Sequence, residues 1–258
     1  MRLNEVEGLE HIDLIMAKFT NSQWTDDFLN GNLYMNNFNH FIEQEKRTKE
    51  KGQGDSFEGG LITEARDIKI YDQDNNLIMT SAKGTVTERY DAVKHIPLYS
   101  MALFNSTDFK VMNIEGNRVR FMLDIPPEDK ENIRNAFKSD SVLLTFSPSV
   151  FVQRVKESLL PVDENLLCGP VKYVDYSVMD AKRRQDFDEM RPDFLFTKHH
   201  SLEYQREYRF VLPGIRSEGP YTRNIGDLRD LFTAVSIDMF LDQSYIELEL
   251  RYLQKEEA

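Results

Sequence analysis

The residues best placed to do chemistry in this chain lie in Tyr204-Gln205-Arg206-Glu207-Tyr208-Arg209-Phe210-Val211-Leu212. The segment reads as a β-strand. Successive strand side chains point to opposite sides, so Gln205, Glu207, Arg209 and Val211 share one face and Tyr204, Arg206, Tyr208, Phe210 and Leu212 the other. One face packs; the other carries a Gln-x-Glu-x-Arg row. A carboxylate there could counter positive charge that develops in a transition state. Equally, Glu207 and Arg209 could form an ion pair, at the surface or buried for structure. Pro213-Gly214 ends the strand, because proline has no N–H for the ladder and Pro-Gly favours a turn. A second pair of acids lies in Gly52-Gln53-Gly54-Asp55-Ser56-Phe57-Glu58-Gly59-Gly60, where the glycines permit positive φ or close backbone approach. That loop is either a substrate-gripping loop with an Asp55 and Glu58 carboxylate pair, or a connection in which Asp55 caps a turn.

The elements that must position these groups follow from the rest of the chain. At 258 residues it is long enough to bury a real core, and 40% hydrophobic and 11% aromatic residues argue against disorder. We expect a single α+β domain over 1–258, with residues 1–10 a flexible lead. Ile12 to Phe19 suits a first buried strand, and a helix capped by Ser22 follows with Trp24, Phe28 and Leu29 on one stripe. Leu33-Tyr34-Met35 is a second strand, then Phe38, Phe41 and Ile42 mark a helix. Lys46, Arg47, Lys49 and Lys51 suggest phosphate binding, but interleaved Glu43, Glu45 and Glu50 suit a solvated helix end. Residues 61–124 read as antiparallel strands, with hairpin signals at Asp72 to Asn76 and at Glu115-Gly116-Asn117, forming one wall of a sheet core. Pro127 and Pro148 open helices around a β-prone Val142 to Phe146 run. Val171 to Tyr176 is a half-buried strand, Asp180 to Met190 a charged helix, and Leu228, Leu231 and Phe232 a short helix before two final strands.

Composition excludes some functions. A net charge of −12 disfavours nucleic acid and anionic membranes as partners. No apolar run approaches the roughly 18 residues of a membrane span, and the start of the chain lacks the apolar core of a signal peptide. The single Cys168 has no partner for an intramolecular disulfide and is expected to be a buried or incidental thiol in a reducing interior. Adjacent His199 and His200 have no cysteine or carboxylate at metal-like spacing in sequence, so no metal is expected.

Three blocks resemble a family of bacterial and phage proteins of uncharacterised function: Gly31-Asn32-Leu33-Tyr34-Met35-Asn36 with Gly54-Asp55-Ser56-Phe57-Glu58-Gly59, then Gly169 to Tyr176, then Phe196-Thr197-Lys198 followed by Tyr204 to Arg209. The closing Gln-x-Glu also resembles ADP-ribosyltransferases, in which a late strand presents such a pair beside the nicotinamide ribose. The resemblance implies an α+β fold of largely antiparallel sheets and an NAD cofactor. It implies Glu207 as the catalytic carboxylate, Gln205 as the group that positions the acceptor, and Asp55 or Glu58 on the substrate. Lys18, Thr20 and Arg209 would hold the cofactor; Lys18-Phe19-Thr20 stands where the transferases carry His-x-Thr or Arg, and lysine lacks arginine's bidentate contact. The resemblance places such an enzyme in phage and host conflict, in the bacterial cytoplasm. The alternative is a non-enzymatic phage protein, a defence inhibitor or virion component, that uses its acidic surface to bind a protein partner.

Overall fold

The computed structural model describes residues 1–49, 52, 54–178, 180–243 and 245–250. Glu50, Lys51 and Gln53, parts of the charged helix end and the glycine loop, lie outside the described residues. The protein is α+β, with mainly antiparallel strands, and divides into two compact units. One comprises residues 1–32, 101–155 and the described part of 224–258; the other comprises 33–100 and 156–223. The strand Pro97–Asn105 runs through the division. Among the described residues no helix is long and apolar enough to cross a membrane.

In the first unit the apolar run after Ile12 forms the strand Asp13–Thr20. It pairs antiparallel with residues 102–105 on one side and with Ser141–Thr145 on the other, where Lys18 stands opposite Leu143. Thr233–Ser236 extends the sheet beyond Ser141–Thr145. A sheet flanked on both sides explains why every residue of Ser141–Thr145 is buried, β-branched and leucine side chains filling both faces. Helix Pro127–Phe137 packs on it through Phe137, whose ring stacks on Phe19 at 4.7 Å. Residues 1–10, expected to be a flexible lead, are instead docked on this unit. Leu3 is fully buried, and the Arg2 guanidinium donates to the carbonyl of Asp124 at 2.6 Å. Two leucines in the core, Leu3 and Leu9, and one anchored arginine hold a polar segment down. A helical segment does begin at Ser22, as the 3-10 helix Ser22–Trp24 that runs into the α-helix Thr25–Leu29, but the Ser22 hydroxyl donates to Asp140 at 2.8 Å and does not cap it. The expected helix around Leu228 is a turn, although Leu228 and Phe232 are buried as their spacing suggests.

In the second unit, helix Phe38–Thr48 buries Phe38 and Ile42 while its charged end faces water. Phe38 joins a core of Leu61, Val93, Leu98, Phe187, Phe194, Leu195 and Val211. The strands Leu61–Tyr71 and Leu77–Glu88 form the expected hairpin but not the wall of a core. They make a two-stranded sheet in which Leu61 and Ile62 are buried, whereas Ile70, Tyr71, Leu77, Ile78 and Met79 are exposed. Periodicity alone could not show that the far half of this hairpin finds no sheet to lie on.

Candidate functional site

The strand predicted from Tyr204 is shorter than its pattern. A 3-10 helix, His200–Gln205, precedes it, and Arg206 takes a left-handed backbone (φ 47°) that ends this helix and starts the strand Glu207–Val211. The strand pairs antiparallel with Leu167–Pro170, placing Arg209 opposite Gly169 and Phe210 opposite Cys168. Cys168 is thus a half-buried strand residue. Alternation within Glu207–Val211 turns Glu207 and Arg209 the same way, as expected, but inward.

Arg209 is completely enclosed and forms the hub. Its Nε donates to Glu207 Oε1 at 2.7 Å, its Nη2 to Glu58 Oε1 at 2.7 Å, and its Nη1 to the Leu195 carbonyl at 2.5 Å. Lys198 is the second buried cation, with Nζ 2.8 Å from Glu207 Oε2, 3.1 Å from Glu58 Oε1 and 2.9 Å from Gln205 Oε1. Ser100 donates to Glu207 Oε1 at 2.5 Å, and the Glu207 backbone N–H donates to the Tyr173 hydroxyl at 2.9 Å. Gln205 spends its other end on the Gly52 carbonyl at 2.7 Å, tying the 3-10 helix to the glycine loop.

The loop is built to deliver two acids. Asp55 N–H donates to the Phe41 carbonyl at 3.1 Å, and the Ser56 N–H donates to the Glu45 carboxylate, so the loop hangs from helix Phe38–Thr48. Arg89 holds the other side through the Ser56 and Glu58 carbonyls, each at 2.9 Å. Asp55 Oδ1 accepts from Phe57 N–H at 2.9 Å, the turn cap that the composition suggested. Gly54 is required by closeness: a Cβ there would lie 2.4 Å from Glu45 N and 2.8 Å from the Phe41 carbonyl oxygen. Gly54→Ala should therefore displace the loop and lower stability by about 1–3 kcal/mol, the usual cost of forcing a methyl into a packed backbone. Urea unfolding will measure it, and a loss within error of zero would mean that the loop is not so pinned.

Hydrogen-bond accounting separates the acids. Both oxygens of Glu207 are occupied, and so is Oε1 of Glu58. Asp55 Oδ2 and Glu58 Oε2 are buried and have no hydrogen-bond partner. Burial would raise the Glu207 pKa, but the Arg209 and Lys198 charges outweigh it and hold this carboxyl well below its ordinary range. Burial would likewise lower Lys198 and Arg209, yet Glu207 and Glu58 keep both firmly charged. Asp55 moves the other way: burial, and then the Glu58 charge, push its carboxyl up to about 6. Glu207 is a fixed anion in a cage, whereas Asp55 can exchange a proton near neutrality.

The fold thus brings together Gln205, Glu207, Arg209, Asp55 and Glu58, all within one unit. Lys18 and Thr20 lie on Asp13–Thr20 in the other unit. Arg209, expected to grip a cofactor, has its guanidinium committed inside the protein, and Gln205 has both ends of its amide engaged. Lys198 and Tyr173 fall within blocks that carry the family resemblance but are given no site role, and Ser100 is not marked at all. Lys198 had one available signal, a lysine in a short strand next to an apolar run, which makes a surface position costly to explain and a buried ion pair natural. Comparison with protein-family models, with curated proteins and with solved structures found no match.

Proposed function

We propose that this chain is a nucleotide-processing enzyme of the ADP-ribosyltransferase-like kind, in which Asp55 and Glu58, not Glu207, meet the substrate. The observation that carries this is the pair of buried carboxylate oxygens without partners, Asp55 Oδ2 and Glu58 Oε2, within one charged cluster. Native proteins satisfy nearly all buried polar atoms, and a catalytic role is one of the reasons an exception persists. In the proposed reaction the bond between the ribose carbon and nicotinamide breaks, and its electron pair leaves with neutral nicotinamide. Glu58 opposes the positive charge that grows on the ribose. A hydroxyl of water or of an acceptor bonds to the ribose carbon, and its proton passes to ionised Asp55. Glu207, Arg209 and Lys198 act as the rigid frame that holds Glu58 in place.

The test is a thermal-shift titration with NAD together with a nicotinamide-release assay on the wild type and Glu58→Gln. A saturable rise in melting temperature follows by mass action if NAD binds the folded state. Release should fall on the order of 100-fold or more in Glu58→Gln, the scale of losing one aimed electrostatic group. Absence of both a shift and release in the wild type would overturn the proposal. One observation favours a second reading, a protein that acts by binding a protein partner. The outer half of the Leu61–Tyr71 and Leu77–Glu88 hairpin exposes Ile70, Tyr71, Leu77, Ile78 and Met79, and grouped exposed apolar side chains mark interaction surfaces.

A further inference from the structure

We propose that Asp175, His199 and His200 bind a divalent transition-metal ion of the zinc class. In sequence Asp175 is far from the two histidines, but the fold brings it to them. Strands Lys172–Val174 and Thr197–His199 run parallel with Val174 opposite His199, so the residue after each strand, Asp175 and His200, meets its counterpart at the strand ends. Each of the three side chains offers one ligand atom, and these atoms lie within 4.8 Å of one another. Tetrahedral zinc with bonds of about 2.0–2.2 Å holds its ligand atoms about 3.3 Å apart. Asp175 and His200 are exposed, so their side chains are free of packing that would prevent closing the remaining gap.

The site is also oriented. The His199 ring packs against Tyr176 at 5.0 Å and against His200 at 4.2 Å, and its Nδ1 pairs with the Ser201 hydroxyl at 2.8 Å. The same Nδ1 also accepts from the Ser201 backbone N–H at 3.2 Å, so for Nε2 to hold an ion the proton must sit on Nδ1 and be donated to the Ser201 hydroxyl, the kind of polar partner that stands behind metal-bound histidines. Asp175 accepts from Ser177 N–H at 2.8 Å, which limits the swing of its carboxylate. Two imidazoles and one carboxylate suit zinc, copper or nickel better than calcium or magnesium, and three protein ligands leave a coordination position for water or substrate. An ion here would also tether the start of His200–Gln205, the 3-10 helix that ends in Gln205.

Isothermal titration of the full chain with zinc chloride tests this, with His200→Ala, Asp175→Asn and Ser201→Ala beside the wild type. The wild type should bind one saturable equivalent. His200→Ala and Asp175→Asn should each weaken it by about 10-fold or more, and Ser201→Ala by about 10-fold through the lost orientation of His199. Circular dichroism should show all three variants folded, since they change side chains outside the core. Copper(II) in place of zinc gives a second readout: nitrogen couplings from two imidazoles in electron paramagnetic resonance, reduced to one in His200→Ala. No saturable binding by the wild type, or binding unchanged in both His200→Ala and Asp175→Asn, would overturn the proposal.

Discussion

Replacing Arg209 with methionine is expected to lower stability by about 3–5 kcal/mol, the largest loss anticipated for any single substitution here. The arginine makes contacts with Glu207, Glu58 and the Leu195 carbonyl from a fully buried position. Methionine fills much of the volume and supplies none of the donors, leaving Lys198 to face the buried Glu207 and Glu58 carboxylates, with Asp55 beside them. Uncompensated charge, not lost attraction alone, makes the cost large. Arg209→Lys should recover little, because an ammonium cannot reproduce a planar fork aimed at two carboxylates. Adding Glu207→Gln to Arg209→Met should cost less than the sum of the two single changes, since the second removes a charge that the first left stranded. Urea unfolding of the four proteins completes the cycle. A loss below about 1 kcal/mol for Arg209→Met, or strict additivity, would mean that the cluster does not work as a unit.

That cluster was half legible in the sequence, and the boundary between the legible and illegible halves has a physical basis. Strand alternation put Glu207 and Arg209 on one side, and this holds because period-two geometry is local. Whether that side faced water or the core depends on what covers the strand, and no local pattern carries that. The same limit applies to the hairpin after Leu61, whose alternating residues matched a sheet wall that the fold does not build. Gln205 reached the cluster by a route that alternation did not foresee: Arg206 breaks the strand, and the amide arrives from a 3-10 helix. Conversely, the runs at Ile15, Val142 and Phe151 were clear, because each element buries a continuous apolar surface that its own residues announce. The division of labour among the acids was invisible, since it depends on which oxygens find donors from distant segments.

Asp55→Asn is expected to raise stability at pH 7.5 while abolishing nicotinamide release. In the folded protein this carboxyl titrates at about 6, against 3.8 as its ordinary value. Between those values the folded state holds a proton that the unfolded chain has released, so stability falls as pH rises through this window and stays lower above it. A shift of roughly two pKa units corresponds to at most about 3 kcal/mol. Asparagine carries no charge at any of these pH values, keeps an oxygen for the Phe57 N–H, and can turn its amide toward the Glu58 carboxylate. The variant should therefore match the wild type near pH 4 and exceed it by up to about 3 kcal/mol at pH 7.5. Glu207 gives the opposite slope: its depressed pKa contributes stability that is complete above about pH 4.5 and is lost as pH falls further. Unfolding curves at pH 4, 5.5 and 7.5 separate the two carboxyls, because Asp55→Asn removes only the downward slope. A variant that is less stable at pH 7.5 than the wild type would assign Asp55 to the fold as a turn cap. A variant more stable and inactive would show a carboxyl kept against its folding cost, the trade expected where a buried acid is held ready for chemistry.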